Sequence, residues 1–272
     1  MSDNLYRNID GRLQQHSLYT SADPLLRSRY GLYETLLFRN GVPEHAAAHW
    51  SRLLQGLQQL GFALPDHYRP EYFTGLVQQL VQANNLEHLA RVRLQVCAAD
   101  IRLPQEPFFY LESFPLDPAS VAYNTQGLHA GVLAPYRKPL APDSNLKLSH
   151  NTYAAPAAAL MRQQGWDEVL LRNEKGNICE SAIANIFLVT DGVLLTPPLS
   201  EGCLAGVVRA WLMPRLVAAG YTLREVPITE DLLLRADEIF LTNSIRPLRW
   251  VGHLQGRALG NELSSEINRH IL

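Results

Sequence analysis

The chain has 272 residues, of which 47% are hydrophobic and 18% charged, and its formal net charge is −2. That length fills one large domain or two modest ones with a substantial core. The near-neutral balance, without a basic stripe, argues against a nucleic acid as partner, and no apolar run approaches the ~20 residues of a membrane span.

The N-terminal "MSDNLYRNIDGRLQQ" is polar and lacks the apolar core of a signal sequence. Within it, "LYRNIDGRLQQ" reads as a hairpin turning at Asp10-Gly11. A strand over "YETLLFRNG" closes at Asn40-Gly41. The period then changes: Trp50, Leu53, Leu54, Leu57 and Leu60 follow helical spacing. A second helix is expected in "PEYFTGLVQQLVQANN". In "ARVRLQVCA", Val92, Leu94 and Val96 alternate with Arg91, Arg93 and Gln95, the mark of a strand with one buried face. "FFYLESF" reads as another strand, and "PLDPAS" as a linker.

A fresh β pattern opens at "LHAGVLA", followed by the Pro-rich "PYRKPLAPDSNLK", expected to be irregular. "HNTYAAPAAALMRQQG" reads as a helix with Pro156 in its first turn. "DEVLLRN" and "ICES" flank a turn, as do "AIANIFLV" and "VLLTPP". "AGVVRAWLMPRLVAAG" is a helix ending at Gly220, "DEIFLTNS" a strand, and "NELSSEINRHIL" a closing helix. The division expected is a small α+β domain over 1–115, a linker over 116–122 and a larger strand-rich domain over 123–272. Cys97, Cys179 and Cys203 have no metal-ligand spacing and read as reduced thiols of a cytoplasmic protein; no metal site is expected.

One stretch resists a purely structural reading. In "ICESAIANIFLV", Glu180 sits among apolar residues, where a carboxylate needs a partner or an exposed position. It is one of five blocks in order: "HWSRL" (49–53), "NLKLSHNTY" (145–153), "ICESAIANIFLV" (178–189), "TPPLSEGCLAGVVR" (196–209) and "FLTNSIRPL" (240–248). Together they resemble the class IV pyridoxal-phosphate enzymes, which include branched-chain and D-amino acid aminotransferases and aminodeoxychorismate lyases. The resemblance spans nearly the whole chain. It implies the fold-type-IV, D-amino acid aminotransferase-like architecture: a small α/β sandwich domain and a larger pseudo-barrel domain. It also implies a homodimer with the active site between the domains, and pyridoxal 5'-phosphate as cofactor.

Lys147 matches the family's catalytic lysine, which holds the cofactor as a Schiff base and moves the substrate proton; read alone, it is a surface lysine. Glu180 matches the acid that faces the cofactor's pyridine nitrogen, which answers the question of its partner; the alternative is a strand-end glutamate facing water. Arg52 matches the phosphate arginine, although its position also suits the solvated side of a helix. The resemblance gives the amides of Val207 and Val208 to the phosphate at a helix N-terminus, without the hydroxyl that many relatives place at position 208. Asn243 matches a further phosphate contact, with Thr242 and Ser244 beside it.

The pattern also breaks. "RSRYGLYET" replaces the Tyr-Gly-Asp-Gly approach of many relatives, with Tyr33 at the aromatic position. The Arg-Gly pair that binds a carboxylate in several relatives is replaced by "QVCAADIRLP", leaving Arg102 or Arg93 as substitutes; Arg93 suits a pocket or solvent equally. Tyr33, Arg93 and Ser244 are the substrate-binding candidates. Asn151, Thr152 and Tyr153 are alternatives for the residue facing the ring. The resemblance of "LTNSIRPLRWV" to the lyases makes 4-amino-4-deoxychorismate lyase, releasing pyruvate and 4-aminobenzoate, the first expectation. The alternative is an aminotransferase of branched-chain or D-amino acids with 2-oxoglutarate. In both, the partner is a small amino substrate.

Overall fold

The computed structural model describes residues 6–15, 30–100, 103–150 and 152–272. They form two compact units, one made by the chain up to Val121 together with a short stretch beginning at Lys147, the other by the remainder.

The first unit opens on β1 (Tyr6–Ile9) and β2 (Arg12–Gln15). Their turn residues, Asp10 and Gly11, have φ of 48° and 84°, as a tight two-residue hairpin requires. β3 (Gly31–Arg39) turns back through Asn40-Gly41 into β4 (Val42–Pro43). Then α1 (Ala46–Gln59) buries Trp50, Leu53 and Leu57, and α2 (Pro70–Ala83), started by a proline whose missing N–H costs nothing there, buries Phe73, Val77 and Leu80. β5 (Leu89–Asp100) and β6 (Leu103–Pro115) complete an antiparallel sheet in the order β2-β1-β6-β5-β3-β4, and α3 (Pro118–Val121) is a single turn. Phe73 meets Trp50 in a tilted contact and Phe109 edge-to-face, at 5.5 and 5.7 Å between ring centres, which ties the helices to the sheet. One further piece of backbone joins this sheet. Tyr33 N–H donates to Lys147 O and Ser149 N–H to Gly31 O, both at 2.9 Å, so 147–149 runs as a rung of antiparallel ladder along the start of β3.

The second unit contains, in chain order, β7 (Leu128–Lys138), α4 (Ala154–Gln164), β8 (Glu168–Asn173), β9 (Ile178–Ser181), β10 (Asn185–Thr190) and β11 (Val193–Thr196). After α5 (Val207–Ala218) come β12 (Leu223–Glu225), α6 (Glu230–Arg235), β13 (Glu238–Thr242), β14 (Arg249–Leu254), β15 (Arg257–Ala258) and α7 (Glu262–His270). The strands form one mixed sheet in the order β12-β11-β10-β13-β14-β7-β8-β9, with β15 beside β14, curled into a half-barrel. Alternation divides its side chains. Leu128, Leu170, Ile186, Leu188, Ile239 and Val251 share one core with Leu233 of α6. Phe187, Val189, Leu194 and Phe240 point the other way and meet Leu212 and Leu216 of α5 and Ile267 of α7. Val169, Leu171, Cys179 and Cys203 pack with Ala157 of α4. All three cysteines are buried free thiols. No helix among the described residues is long and apolar enough to cross a membrane.

The structure differs from the sequence expectation at 135–138, which was expected to be irregular. This segment finishes β7. The pairing with β8 slips between Val132 and Arg137, a stretch that contains Pro135, and resumes with Arg137 opposite Arg172 and Lys138 opposite Asn173. A bulge is where a strand accommodates a proline that cannot donate to the ladder.

Candidate active site

Three lysines occur in the whole chain. Lys138 is ion-paired with Glu180 at 2.5 Å and Lys175 with Glu201 at 3.2 Å. Lys147 makes no ion pair among the described residues. Its Nζ lies 4.4 Å from the centre of the Tyr33 ring, and the Arg93 guanidinium carbon lies 4.6 Å from the same ring. The cause is local: the ladder bond from Tyr33 N–H to Lys147 O sets the two residues side by side, and the ring face attracts both cations. Arg93 is half-buried and donates to Gln95 Oε1 at 3.1 Å. Tyr33, Arg93 and Lys147 are therefore one cluster on the first unit.

Arg52 belongs to a second cluster there. Its Nε donates to Glu34 Oε1 at 2.8 Å and its Nη2 to Glu34 Oε2 at 2.5 Å, the two-pronged geometry that suits a guanidinium and a carboxylate. His49 Nδ1 shares Glu34 Oε2 at 2.7 Å. Glu34 and His49 are fully buried. Burial would raise the Glu34 carboxyl, but Arg52 and then His49 override it and hold it down to about 2. Arg52 is thus pinned in direction by an acid on β3, four residues' worth of strand from Phe38 and the β4 turn.

On the second unit, Glu180 is 8% exposed. Its Oε1 accepts from Lys138 Nζ and its Oε2 from Leu204 N–H at 2.7 Å. Leu204 is fixed in turn, because its carbonyl accepts from Asn185 Nδ2 and from Gly206 N–H, both at 2.8 Å. Gly206 caps α5 with no side chain on the helix N-terminus, and the first turn holds no acid. The amides of Val207 and Val208 therefore open a helix end suited to an oxyanion. The glycine is required: a Cβ there would sit 1.8 Å from Asn185 Oδ1. Asn185 pairs with Thr242 across β10 and β13, and Thr242 Oγ1 is buried with no hydrogen-bond partner among the described residues. Beyond it, Asn243 Oδ1 accepts from Ile245 and Arg246 N–H at 3.0 and 2.8 Å, and its amide donates to Ile183 O at 3.4 Å, so this side chain builds its own loop. Ser244 is half-buried, and no hydrogen bond of its hydroxyl is seen among the described residues.

Of the alternatives for the ring-facing residue, Asn151 lies outside the described residues, as does Arg102. Thr152 is exposed, and Tyr153 packs beside Cys179 and Cys203 with its hydroxyl donating to Arg137 O at 3.3 Å. Sequence reasoning missed Lys138, Glu34 and Asn185. Glu34 had a signal: it shares a strand face with Leu32 and Leu36, both buried. Lys138 had none, since its acid is 42 residues away.

Each unit carries groups that suit pyridoxal phosphate: the first an amine that makes no ion pair among the described residues, the second a carboxylate held at both oxygens and a helix N-terminus without a side-chain cap. Comparison with known proteins agrees. Residues 31–254 match the family model described as amino-transferase class IV. A Methanocaldococcus jannaschii protein provisionally named a branched-chain-amino-acid aminotransferase is 27% identical over 248 residues, covering 89% of this chain and 84% of that one. A branched-chain aminotransferase of Thermoproteus uzoniensis superposes with a TM-score of 0.85 at 24% identity, covering 98% of this chain and 93% of that one. A Legionella pneumophila structure provisionally named a 4-amino-4-deoxychorismate lyase superposes at 0.81 and 22%, covering 93% of each.

Proposed function

The chain belongs to the class IV aminotransferase family, and from that premise we propose that it transfers the amino group of a branched-chain or similar aliphatic amino acid to a 2-oxo acid such as 2-oxoglutarate. Pyridoxal phosphate supplies the aldehyde and the electron-accepting ring. The observation that carries the reading is Lys147: the one lysine of three outside an ion pair among the described residues, and so the one amine that need not abandon a carboxylate before it reacts. Lys147 would be the amine that holds the cofactor by its aldehyde and the group that would move the proton at the substrate carbon. Glu180 is the acceptor for the pyridine nitrogen. Val207 and Val208 amides hold the phosphate, with Arg52 held in direction by Glu34; the Ser244 hydroxyl is better placed to add a donor than Asn243, whose side chain is committed to its loop. Arg93, on the ring that Lys147 occupies, is the candidate for a substrate carboxylate.

The preference for transamination over lyase chemistry rests on the relatives, in particular the near full-length M. jannaschii match. It reverses the expectation drawn from "LTNSIRPLRWV". The lyase remains the second reading because a lyase-named structure shares the fold. Two assays separate them. Borohydride treatment of the yellow protein should fix the cofactor to a peptide containing Lys147; a colourless protein in the presence of pyridoxal phosphate refutes both readings. Leucine with 2-oxoglutarate should then yield glutamate. Release of 4-aminobenzoate from aminodeoxychorismate, without transamination, would establish the lyase instead. A homodimer belongs to the same proposal and is checked by light scattering.

A further inference from the structure

Glu180 and Lys138 are both buried, at 8% and 9% exposure. A buried ion pair is a weak source of stability, because desolvating two charges offsets most of their attraction. This pair is nevertheless fully built. Lys138 is the last residue of β7, aligned with Asn173 after the Pro135 slip. Glu180 pairs with Leu171 on β8's other side. Lys138 Nζ holds Oε1, and Leu204 N–H, itself locked by Asn185, holds Oε2. A carboxylate has about four acceptor positions, so two donors fix its plane and leave room for a third.

We infer that Lys138 is the positioning residue of Glu180. It holds the carboxylate in a fixed orientation in the buried site, ready to accept from the pyridine nitrogen, and acts on the cofactor only through that acid. The inference rests on the assignment of Glu180 made above. It also gives β7 its function at 135–138: the bulge that accommodates Pro135 lets the strand end on a lysine beside the acid.

The test is a double-mutant cycle on cofactor affinity, with the dissociation constant of pyridoxal phosphate measured by absorbance titration of wild type, Lys138→Met, Glu180→Gln and the double variant. Lys138→Met should weaken binding by about tenfold to a hundredfold, the loss typical when a group that orients a ligand is removed. It should have no further effect in the Glu180→Gln protein, and Lys138→Arg should restore most of the affinity. If Lys138→Met does not fold, Lys138→Gln, which keeps a donor without the charge, takes its place in the cycle. An equal loss in both backgrounds would overturn the inference, because Lys138 would then act on the cofactor directly. Tighter binding by Lys138→Met would also overturn it, since the lysine would be a competitor for the acid. A Glu180→Gln protein with wild-type affinity and an unchanged visible band would instead refute the assignment of Glu180, a failure visible in that single variant.

Discussion

Lys147 and Tyr33 show how little is needed to hold an amine against an aromatic ring. One backbone bond places the two residues side by side, and the ring face holds the side chain without neutralising it. Replacing Lys147 by Ala should lower kcat by roughly 10³-fold or more, the scale of a lost proton-transfer group. Borohydride should then leave no cofactor attached to the peptide. The ring is a different matter. Tyr33→Phe keeps the π face and should stay close to wild type, whereas Tyr33→Leu removes it and should cost about 2- to 30-fold in kcat, the range of a cation–π contact. Steady-state kinetics on both variants checks this. If the hydroxyl rather than the ring were at work, Phe would fail as badly as Leu. Glu34 makes the same point in reverse: its value lies in taking two donors of Arg52, and a neutral residue there would leave a guanidinium beside a buried histidine without an acid.

At the level of elements, the N-terminus of α5 is held by its neighbours rather than by a capping side chain. Gly206→Ala would drive a Cβ into Asn185 Oδ1, and Asn185 is what ties β10 to Leu204. The helix end must then shift. Affinity for pyridoxal phosphate should fall by about tenfold, the scale of one partly buried helix-terminus interaction, as read by the same absorbance titration. Elements of this kind were legible where their causes are local. Asp10-Gly11, Asn40-Gly41 and Asp191-Gly192 each have two positive φ values and each turns a hairpin that the sequence announces. The Trp50-to-Leu57 spacing gave α1, and the "LAGVVR" segment gave α5. What could not be read depends on partners distant in the chain. The end of β7 is a strand only because β8 runs parallel beside it, and parallel pairing leaves no hairpin signal. The 147–149 rung lies in a Pro-rich neighbourhood and pairs with a strand formed more than a hundred residues earlier. For the candidate site, the residue types came from motif order, but their second partners, Lys138 for Glu180 and Glu34 for Arg52, came only from the fold.

For the molecule as a whole, two buried acids set opposite responses to pH, one in each unit. Folded Glu34 is held at about 2 against an ordinary 4.5, so the unfolded chain takes up its proton first. Its contribution is complete above 4.5 and is lost as pH falls toward 2. Glu168, 3% exposed at the start of β8, is pushed up to about 7 by burial, and Val169 N–H and Arg249 reverse only part of that. Here the folded chain keeps a proton that the unfolded chain gives up above 4.5, so stability from this group declines as pH rises from 4.5 to 7. A shift of this size corresponds to something on the order of 3 kcal/mol for each group. Urea unfolding of the cofactor-free protein across pH 3 to 8 should therefore show a maximum near pH 4.5 to 5. Glu168→Gln should flatten the decline on the neutral side and leave the acid side as it was, because the group lies in the second unit and Glu34 in the first. Glu34→Gln should lower stability throughout, since Arg52 and His49 lose their acid, and should flatten the acid side alone. If Glu168→Gln left the neutral slope unchanged, the buried carboxyl would have to be ionised in the folded protein, and Arg249 rather than burial would then decide its charge.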